Sequence, residues 1–408
     1  MKNGDILRTR VRALSFGGDS IGDAPDGRVL FLSGGVPGDL VEARLTEVKA
    51  RFGRGEVVRV VEAGAERVPA KCELFGRCGG CQWQDVSLPA QRAAKQEIVQ
   101  RALGRLGAEV RPIVTPTESF GYRTRARFTV GASAIGYQAR RSHEVVDVAH
   151  CPLLDPALDR AMQEARRVMG PAIQSGGTIA GLVGRDEMVH IALTGVREGA
   201  KPDQLIGMTG IVGVVADGIR MGAPGVDIAD VGESPFMAAA DGFAQAAHSG
   251  NSVLREIVRN EAGGPHGRIL ELFAGDGNFT RDLAQVSNEI VAVEGESTAC
   301  KRLGTNVNGP AKIVIHAESA ESAAEQLAKS GERFDLVVLD PPRAGAPLVA
   351  QHLPSLTSRV VYISCDPMTL ARDAKTLAER GLRPVRATPI DLMPHTWHIE
   401  TVCSFARD

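Results

Sequence analysis

The sequence lacks several features that mark special classes of protein. Its 47 Lys and Arg nearly balance 49 Asp and Glu, so the formal net charge of -2 excludes a chain-wide basic surface for nucleic acid. No apolar run reaches the roughly 18 residues that a membrane-spanning helix requires. Repeats and low-complexity tracts are absent, and MKNGDILRTRVRALSF contains no apolar core of a secretory signal. We therefore expect a cytoplasmic protein without membrane contact, in which any polyanion site is local.

The 408 residues fall into three regions, which together predict an α/β protein. Residues 1–61 hold short β-like stretches, such as RVLFLSG and DLVEARLTEV, between turns such as GGDSIGDAPDG, a pattern typical of a small β-barrel. Residues 62–234 combine cysteines, an amphipathic helix around PAQRAAKQEIVQRALGRLG and mixed strands. In residues 235–408 apolar β runs alternate with helical segments, which predicts a parallel, doubly wound sheet.

A glycine-containing loop follows the first strand of that predicted sheet. In ELFAGDGNFT, Gly275 and Gly277 allow a tight turn and a close approach of backbone to ligand, although a plain strand-to-helix turn would show the same glycines. The next strand ends at Glu294, a suitable acceptor for ribose hydroxyls. Acidic and Asn side chains stand where a dinucleotide fold would hold pyrophosphate. The loop therefore favours a nucleoside without phosphate, such as S-adenosylmethionine.

Two further strands of this sheet end in residues that can carry chemistry. The fourth ends in LDPPRAG and places Asp340 at the ligand-binding edge, and the fifth ends in SCDP and places Cys365 beside it. A single cysteine in an apolar setting is usually a small buried residue. Cys365 instead precedes a helix, with Thr369 as its expected cap, whose dipole favours a thiolate. It is a candidate nucleophile, whereas Cys300 and Cys403 are expected to be structural.

Four of the seven cysteines form a separate candidate metal site. Cys72, Cys78 and Cys81 lie at C-x5-C-x2-C spacing in CELFGRCGGCQW, and Cys151 in AHCPLLD supplies a fourth thiolate. Cytoplasmic cysteines are reduced or metal-bound, and four of them could bind zinc tetrahedrally. Two glycines between Cys78 and Cys81 would also let backbone N–H groups approach the sulfides of an iron–sulfur cluster. The residues alone leave both metals open.

The motifs DPPRAG, YISCDPMTLARD and MPHTWHIETV together resemble those of the RNA 5-methyluridine methyltransferases. The resemblance implies a class I methyltransferase fold for residues 235–408, with S-adenosylmethionine as the methyl donor. It implies Cys365 as the nucleophile that adds to carbon 6 of uracil and Glu400 as the base that removes the carbon 5 proton. The local motif is completed by His395, Thr396 and His398. The family's cofactor contacts carry over to Phe273, Asn278, Glu294, Glu318 and Asp340.

The resemblance extends over nearly the whole chain. Residues 1–61 resemble the TRAM domain, an RNA-binding β-barrel. Ribosomal members of the family carry the same cysteines around a [4Fe-4S] cluster, which implies such a cluster at Cys72, Cys78, Cys81 and Cys151. One departure is SPFMAAADG, where Ala238 is expected in place of a glutamine that lies between cofactor and target base. Either a neighbour such as Gln245 takes that role or binding is weakened.

A local excess of positive charge in residues 91–127 is the candidate RNA-binding surface. Against three Glu, the segment carries Arg92, Lys95, Arg101, Arg105, Arg111, Arg123, Arg125 and Arg127, a balance of +5. GYRTRARF alternates arginines along an expected strand flanked by Tyr122 and Phe128, which suits phosphate contacts combined with base stacking. A merely solvated charged face would show the same composition.

These observations predict an enzyme that methylates carbon 5 of a uridine in structured RNA. By analogy with the family, the TRAM-like region and the cysteines favour 23S ribosomal RNA over transfer RNA. Methylation of an exocyclic amine is an alternative, since DPPR resembles the motif of those enzymes, but that reaction needs no thiolate. An RNA-binding iron–sulfur protein with impaired catalysis is a further alternative, motivated by Ala238. No obligate protein partner is expected.

Overall fold

The computed structural model describes residues 1–407, and its first element is a six-stranded sheet. The strands are β1 (Ile6–Arg10), β2 (Ala13–Leu14), β3 (Ser20–Asp23), β4 (Val29–Ser33), β5 (Leu40–Val48) and β6 (Phe52–Glu62). In space they follow the order β1-β5-β6-β4-β3-β2. Alternate residues of β4 and β5 point inward, so that Leu30, Leu32, Val41, Ala43 and Leu45 form a small apolar core.

The middle region begins with a helix and continues into a second sheet. Helix α1 (Leu88–Leu103) and the short strand β7 (Glu109–Val110) come first. The sheet contains β8 (Arg125–Val130), β9 (Ile135–Gln138), β10 (Val145–Asp147), β11 (Ile173–Val183), β12 (Val189–Val196), β13 (Ile211–Ala216) and β14 (Ile219–Gly222). Its order is β10-β9-β8-β11-β12-β13-β14. Helix α2 (Pro156–Met169), capped by Asp155, covers one face through Leu158 and Met162.

Shorter elements complete this region. Single 3-10 turns lie at Gly104–Leu106, Gly170–Ala172 and Pro202–Leu205. A two-stranded ladder of β15 (Val226–Asp227) and β16 (Met237–Ala238) leads toward the C-terminal sheet.

The C-terminal region is a sheet with helices on both faces. Its strands are β17 (His266–Leu272), β18 (Ser287–Val293), β19 (Lys312–His316), β20 (Leu336–Leu339), β21 (Arg359–Ser364), β22 (Leu382–Ile390) and β23 (Glu400–Arg407). Its helices are α3 (His248–Ala262), α4 (Thr280–Leu283), α5 (Ser297–Asn306), α6 (Ala320–Lys329), α7 (Pro347–Leu356) and α8 (Pro367–Ala378). The order is β19-β18-β17-β20-β21-β23-β22-β7, and β23 is antiparallel to both neighbours.

Side chains of the central strands alternate between two apolar layers. Leu270, Leu272, Val337 and Leu339 belong to one layer, and Ile269, Leu336 and Val338 belong to the other. Because helices cover both layers, the strands are apolar throughout, as in other parallel sheets. Helix α1 also packs into the first layer through Val99 and Leu103, and β7 pairs with β22. The start of the middle region is therefore built onto the C-terminal sheet.

Two strands differ from the sequence prediction. Turns are expected throughout GGDSIGDAPDG, but Ser20–Asp23 forms β3, in which the buried Ser20 hydroxyl donates to the Gly34 carbonyl at 2.6 Å. Strand β22 is not predicted at all, because prolines are rare within strands. Pro384 and Pro389 lie outside the two residues of β22 that pair with β7, so their missing N–H groups leave that pairing intact. Within residues 1–407, none of the helices combines the length and apolar character needed to cross a bilayer.

Candidate active site

Five of the predicted site residues lie at the carboxyl edge of the C-terminal sheet. Phe273 follows β17, Glu294 follows β18, Asp340 follows β20 and Cys365 follows β21. Glu400 reaches this edge from the opposite direction, because it begins the antiparallel strand β23, whose Thr401 pairs with Ser364 at the end of β21. Strand direction thus brings together a thiol and a carboxylate that are distant in sequence.

The surroundings of Cys365 oppose its ionised form. Burial, followed by the charge of Glu400 and then that of Asp340, raises the pKa of Cys365 to about 11, while the cation of Arg343 acts in the opposite direction. Burial and the charge of Asp340 hold the pKa of Glu400 well above its usual range. Burial also raises the pKa of Asp340 to about 7. Ionisable groups with strongly shifted pKa values in one cleft are typical of a catalytic site.

Arg343 is a functional candidate that the sequence analysis did not single out. It lies in DPPRAG, on the loop between β20 and α7, and it is exposed. The Thr369 hydroxyl fixes the loop by donating to the Arg343 carbonyl at 3.2 Å. The guanidinium lies 3.4 Å from Nε2 of His398 and 5.9 Å from the centre of the Trp397 ring. The signal that could have identified it is its position three residues after Asp340 in the quoted motif.

The helix after Cys365 is capped by Asp366 and not by Thr369. The Asp366 carboxylate accepts hydrogen bonds from the N–H groups of Met368 at 2.8 Å and Thr369 at 3.1 Å, and Pro367 takes the first helical position. The expected hydroxyl cap would have carried no charge, whereas the carboxylate raises the pKa of Cys365. The Asp366 carboxylate therefore counteracts the stabilisation that the helix dipole gives to a Cys365 thiolate.

A pocket next to these residues has the composition of a cofactor site. Its lining includes Phe243, Gln245, Asn251, Phe273, Asn278 and Asp340. Three of the five predicted cofactor residues are in that set, but Glu294 and Glu318 are not among the lining residues. Glu294 instead holds the loop, since its carboxylate accepts from the N–H groups of Gly275 at 2.9 Å and Glu296 at 2.7 Å. Glu318 follows β19 and lies 3.4 Å from His316.

The loop after β17 is shaped by positive φ angles and an amide pair. Gly277 has a φ of +94°, and a Cβ there would come within 2.7 Å of Val307, so only glycine fits. Asn278 exchanges two hydrogen bonds with Asn251 of α3, at 2.8 and 2.9 Å. Helix α3 thereby orients one of the predicted cofactor contacts.

Ala238 does not take the place expected from the family pattern. It is buried in β16, opposite Val226, whereas Gln245 lines the pocket. Phe243-Ala244-Gln245, just before α3, also reads F-x-Q. The assignment of Ala238 to the glutamine position is therefore wrong. Two similar segments stand close together in sequence, and only the second places its third residue in the pocket.

Residues of the third family motif lie on the loop between β22 and β23, here termed the 391–399 loop. His395 is buried, which lowers its pKa to about 4, and its ring lies 4.5 Å from that of Phe120. Thr396 donates to the Met393 carbonyl at 2.8 Å. Burial, together with the cation of Arg343, lowers the pKa of His398 to about 3. The loop leads directly into Glu400.

Cys72, Cys78, Cys81 and Cys151 line one cavity in the middle region. The Gly80 N–H donates to the Cys78 sulfur at 3.4 Å, and the Gln84 amide donates to the Cys81 sulfur at 3.3 Å. Burial raises the pKa of Cys81 to about 12. Within residues 1–407, no three Cys, His, Asp or Glu side chains are grouped as ligands of a metal ion. The structure therefore brings the four predicted cysteines together around a space without forming a compact single-ion site.

The predicted basic surface of residues 91–127 is not continuous. Lys95 is fully buried on the face of α1 that also carries Val99 and Leu103, and it donates to Asp391 at 2.5 Å. Arg123 lines the cysteine cavity. Arg125 donates to the Gly242 carbonyl at 2.6 Å. Arginines at alternate positions of a strand form a charged surface only where that side of the strand meets solvent. Here Lys95, Arg123 and Arg125 instead contact other parts of the protein.

The fold and the two sites define a methyltransferase joined to an RNA-binding domain. Residues 1–58 match the TRAM domain, and residues 233–407 match the family described as tRNA (Uracil-5-)-methyltransferase. The Pyrococcus abyssi tRNA (uracil-54, C5)-methyltransferase, solved with S-adenosyl-L-homocysteine, shares the fold with a TM-score of 0.77. The match covers 98% of this chain and 99% of that chain at 22% identity. The expected TRAM domain and C-terminal methyltransferase fold are thereby confirmed.

Sequence relatives identify the family within this class. The 23S rRNA (uracil(1939)-C(5))-methyltransferase RlmD of Edwardsiella ictaluri is 32% identical, with 93% of this chain and 91% of the relative covered. That of Methylococcus capsulatus is also 32% identical, with 96% of each chain covered. The chain belongs to the RNA uracil-C5 methyltransferase family. It is an enzyme that uses S-adenosylmethionine to methylate carbon 5 of uracil in RNA.

Proposed function

We propose that the substrate is one uridine of 23S ribosomal RNA and that the reaction passes through a covalent bond between Cys365 and carbon 6 of the base. The observation that carries the proposed reaction is the position of Cys365 and Glu400 on adjacent strand ends, beside the pocket that Asp340 lines. The similarity to 23S rRNA methyltransferases over most of the chain supports the proposed substrate. Methylation at carbon 5 needs a nucleophile and a base. Methylation of an exocyclic amine needs no thiolate, so the pairing favours carbon 5.

In the proposed reaction, the Cys365 thiolate bonds to carbon 6, and the electron pair of the 5,6 double bond moves into the ring as an enolate. S-adenosylmethionine, when bound, supplies an electrophilic methyl group. Carbon 5 bonds to that methyl group as the bond between methyl and sulfonium sulfur breaks. The Glu400 carboxylate then accepts the carbon 5 proton, the double bond re-forms and the Cys365 thiolate leaves.

Arg343 is proposed to support the charged forms of both groups. Its cation lowers the pKa of Cys365 and that of Glu400, against the effect of burial. Since the pKa of Cys365 stands near 11 in the free protein, the thiol is protonated at neutral pH. The reaction therefore begins with loss of that proton.

The cofactor is proposed to occupy the pocket beside this pair, in contact with Phe273, Asn278, Glu294, Glu318 and Asp340. Support comes from the three of these residues that line the pocket. Gln245 lines the same pocket and is proposed to lie between cofactor and base, which removes the reason for considering an enzyme with impaired catalysis. Glu294 contributes by fixing the Gly275 N–H at the turn.

We also propose that Cys72, Cys78, Cys81 and Cys151 hold a [4Fe-4S] cluster. They surround one cavity, and the Gly80 N–H and the Gln84 amide already point at sulfur atoms. When bound, the cluster would carry iron and sulfide. No step of methyl transfer is assigned to it.

We propose that residues 1–61 bind RNA, that residues 62–234 hold the cluster and also contact RNA, and that residues 235–408 transfer the methyl group. In the first of these regions, Phe31 and Phe52 meet edge to face with ring centres 6.0 Å apart, and the Arg54 guanidinium lies 5.4 and 5.7 Å from them. Half-buried aromatic rings beside a guanidinium suit stacking of unpaired bases.

Mapping of 5-methyluridine in ribosomal and transfer RNA tests the proposed substrate. Cells that lack the gene should lose one such mark in 23S ribosomal RNA and regain it when the gene is restored. Loss of a transfer RNA mark with intact ribosomal RNA would contradict the proposed substrate but not the reaction.

A further inference from the structure

The 391–399 loop is fixed by residues from outside the C-terminal sheet. The His395 carbonyl accepts hydrogen bonds from the N–H groups of Gln82 at 3.1 Å and Trp83 at 3.0 Å. The His395 N–H donates to the Gln91 side chain at 2.7 Å. The Tyr122 hydroxyl donates to the Pro394 carbonyl at 3.1 Å. Two consecutive residues of the loop, Pro394 and His395, are thus bound by the region that carries the cysteines.

The conformation of His395 makes these contacts necessary. Its φ of +66° lies in the left-handed region, which few residues other than glycine adopt, and it is only 5% exposed. Such a conformation persists where the surrounding structure determines it. Gln91 is fully buried and uses both ends of its amide, because it also donates to the Trp83 carbonyl at 2.9 Å and the Val86 carbonyl at 2.8 Å.

The residues that hold the loop are continuous with the cysteine site. Gln82 and Trp83 directly follow Cys81, and the Gln82 side chain donates to the Gly79 carbonyl at 2.7 Å within the same turn. Tyr122 immediately precedes Arg123, which lines the cysteine cavity. A displacement of Cys81 therefore moves the two amides that bind His395.

We propose that the segment 81–91, together with Tyr122, positions the 391–399 loop, so that placement of Glu400 opposite Cys365 depends on an intact cysteine site. This inference rests on the proposed function, because placement of Glu400 matters for the reaction only if Glu400 is the base. Tyr122 and Gln91 are positioning residues in it. They act on the reacting groups through the backbone of the loop.

Tyr122→Phe tests the contact with the smallest change, since it removes only a hydroxyl. Hydrogen exchange followed by mass spectrometry should show faster deuterium uptake in peptides that cover the 391–399 loop. The kcat for RNA methylation should fall about tenfold, because a buried carbonyl loses its donor, with the affinity for S-adenosylmethionine unchanged. Ser287→Ala is the matched control, as it removes a hydroxyl that donates to the Leu283 carbonyl at 2.9 Å elsewhere.

Gln91 offers a graded version of the same test. Gln91→Glu keeps an oxygen that accepts the His395 N–H, whereas Gln91→Met keeps only the shape. Deuterium uptake in the loop should therefore rise more in Gln91→Met than in Gln91→Glu. Equal uptake in both variants and in the unaltered enzyme would overturn the positioning role.

Cys151→Ser tests the link to the cysteine site without touching the loop. Purified as the full chain, this variant should show the same increase in deuterium uptake over the 391–399 loop, whereas Cys300→Ser should not. Increased uptake confined to the cysteine segments would contradict the inference. The proposed function is tested separately by trapping on RNA with 5-fluorouridine. If trapping depends on Cys365 while the loop stays protected in these variants, only the inference fails.

Discussion

Cys365, Glu400, Asp340 and Arg343 form a group whose ionisation states depend on one another. Burial favours the neutral form of each acid, both carboxylates make Cys365 harder to ionise, and the Asp340 carboxylate does the same to Glu400. Arg343 is the cation that counters this effect at both Cys365 and Glu400. The free enzyme therefore holds its proposed nucleophile as a thiol, and formation of the thiolate is part of the reaction.

Removing the Arg343 charge should shift the pH dependence of the enzyme. The Cys365 thiolate forms as pH rises through the pKa of the thiol, so activity should increase with pH in the unaltered protein. Arg343→Ala raises that pKa further, because the thiolate loses a favourable charge. We expect kcat/KM at neutral pH to fall at least about tenfold, as one pKa unit implies, with partial recovery at higher pH. A pH profile of kcat/KM for RNA checks this.

Arg343→Lys is the control, since it keeps the charge and should retain a profile near that of the unaltered enzyme. An Arg343→Ala profile of unchanged shape, lowered equally at every pH, would show that the cation acts on binding and not on ionisation.

Among the elements, the helix α1 shows how packing can override a surface pattern. Its Lys95 belongs to a predicted basic surface, yet it lies inside the protein and forms an ion pair with Asp391, both fully buried. The pair joins α1 to the start of the 391–399 loop, and Lys95 also donates to the Met393 carbonyl at 3.1 Å. Composition alone does not distinguish this lysine from a solvated one.

Lys95→Met should destabilise the protein strongly. It leaves the Asp391 carboxylate buried without its partner, which typically costs about 3–5 kcal/mol. The double variant Lys95→Met with Asp391→Leu should recover much of that loss, because an apolar pair replaces an ion pair. Urea unfolding followed by circular dichroism measures both. A double variant no more stable than the single one would contradict this explanation.

The strands also show which elements could be predicted from sequence. Apolar runs such as those of β17, β20 and β21 are predicted because they are buried on both faces. Strand β3 is missed, since Gly and Asp residues indicate turns and its stability comes from pairing with β4. Strand β22 is missed because of its prolines. The antiparallel direction of β23, which sets Glu400 beside Cys365, follows from no local signal, and only the resemblance predicts the pair.

The loops that carry Cys72, Cys78, Cys81 and Cys151 should require the proposed cluster for their stability. Protein purified without oxygen should be brown and contain about four irons with labile sulfide per chain. Cys72→Ser should lose the colour and the iron and unfold at a lower temperature, whereas Cys300→Ser should retain all three properties. Iron and sulfide analysis checks this. Stoichiometric zinc without sulfide would contradict the proposed cluster.

On the scale of the whole molecule, the TRAM domain sits against both other regions. Asp19 is buried and accepts from Arg140 at 2.8 Å and Arg141 at 2.6 Å, on the turn between β9 and β10. Phe16 meets Trp397 of the 391–399 loop edge to face, with ring centres 4.7 Å apart. The TRAM domain therefore contacts the loop that leads into Glu400.

Phe52→Ala should weaken RNA binding without affecting the cofactor. Loss of one stacked base typically costs about 1–3 kcal/mol, so the Kd for a substrate RNA fragment should rise at least about fivefold. The Kd for S-adenosylmethionine, measured by calorimetry, should not change. Unchanged binding by Phe52→Ala would mean that RNA uses another face of the barrel.

Covalent trapping on RNA with 5-fluorouridine at the target position tests whether Cys365 bonds to carbon 6 of the base, because fluorine cannot leave carbon 5 as a proton does. The unaltered enzyme should form an adduct that migrates as one protein–RNA species under denaturing conditions. Cys365→Ala should form no adduct and transfer no methyl group, whereas Glu400→Gln should accumulate an adduct on natural uridine. Methylation of RNA by Cys365→Ala, or a new methyl group on a base nitrogen, would contradict methylation of carbon 5 through a Cys365 adduct.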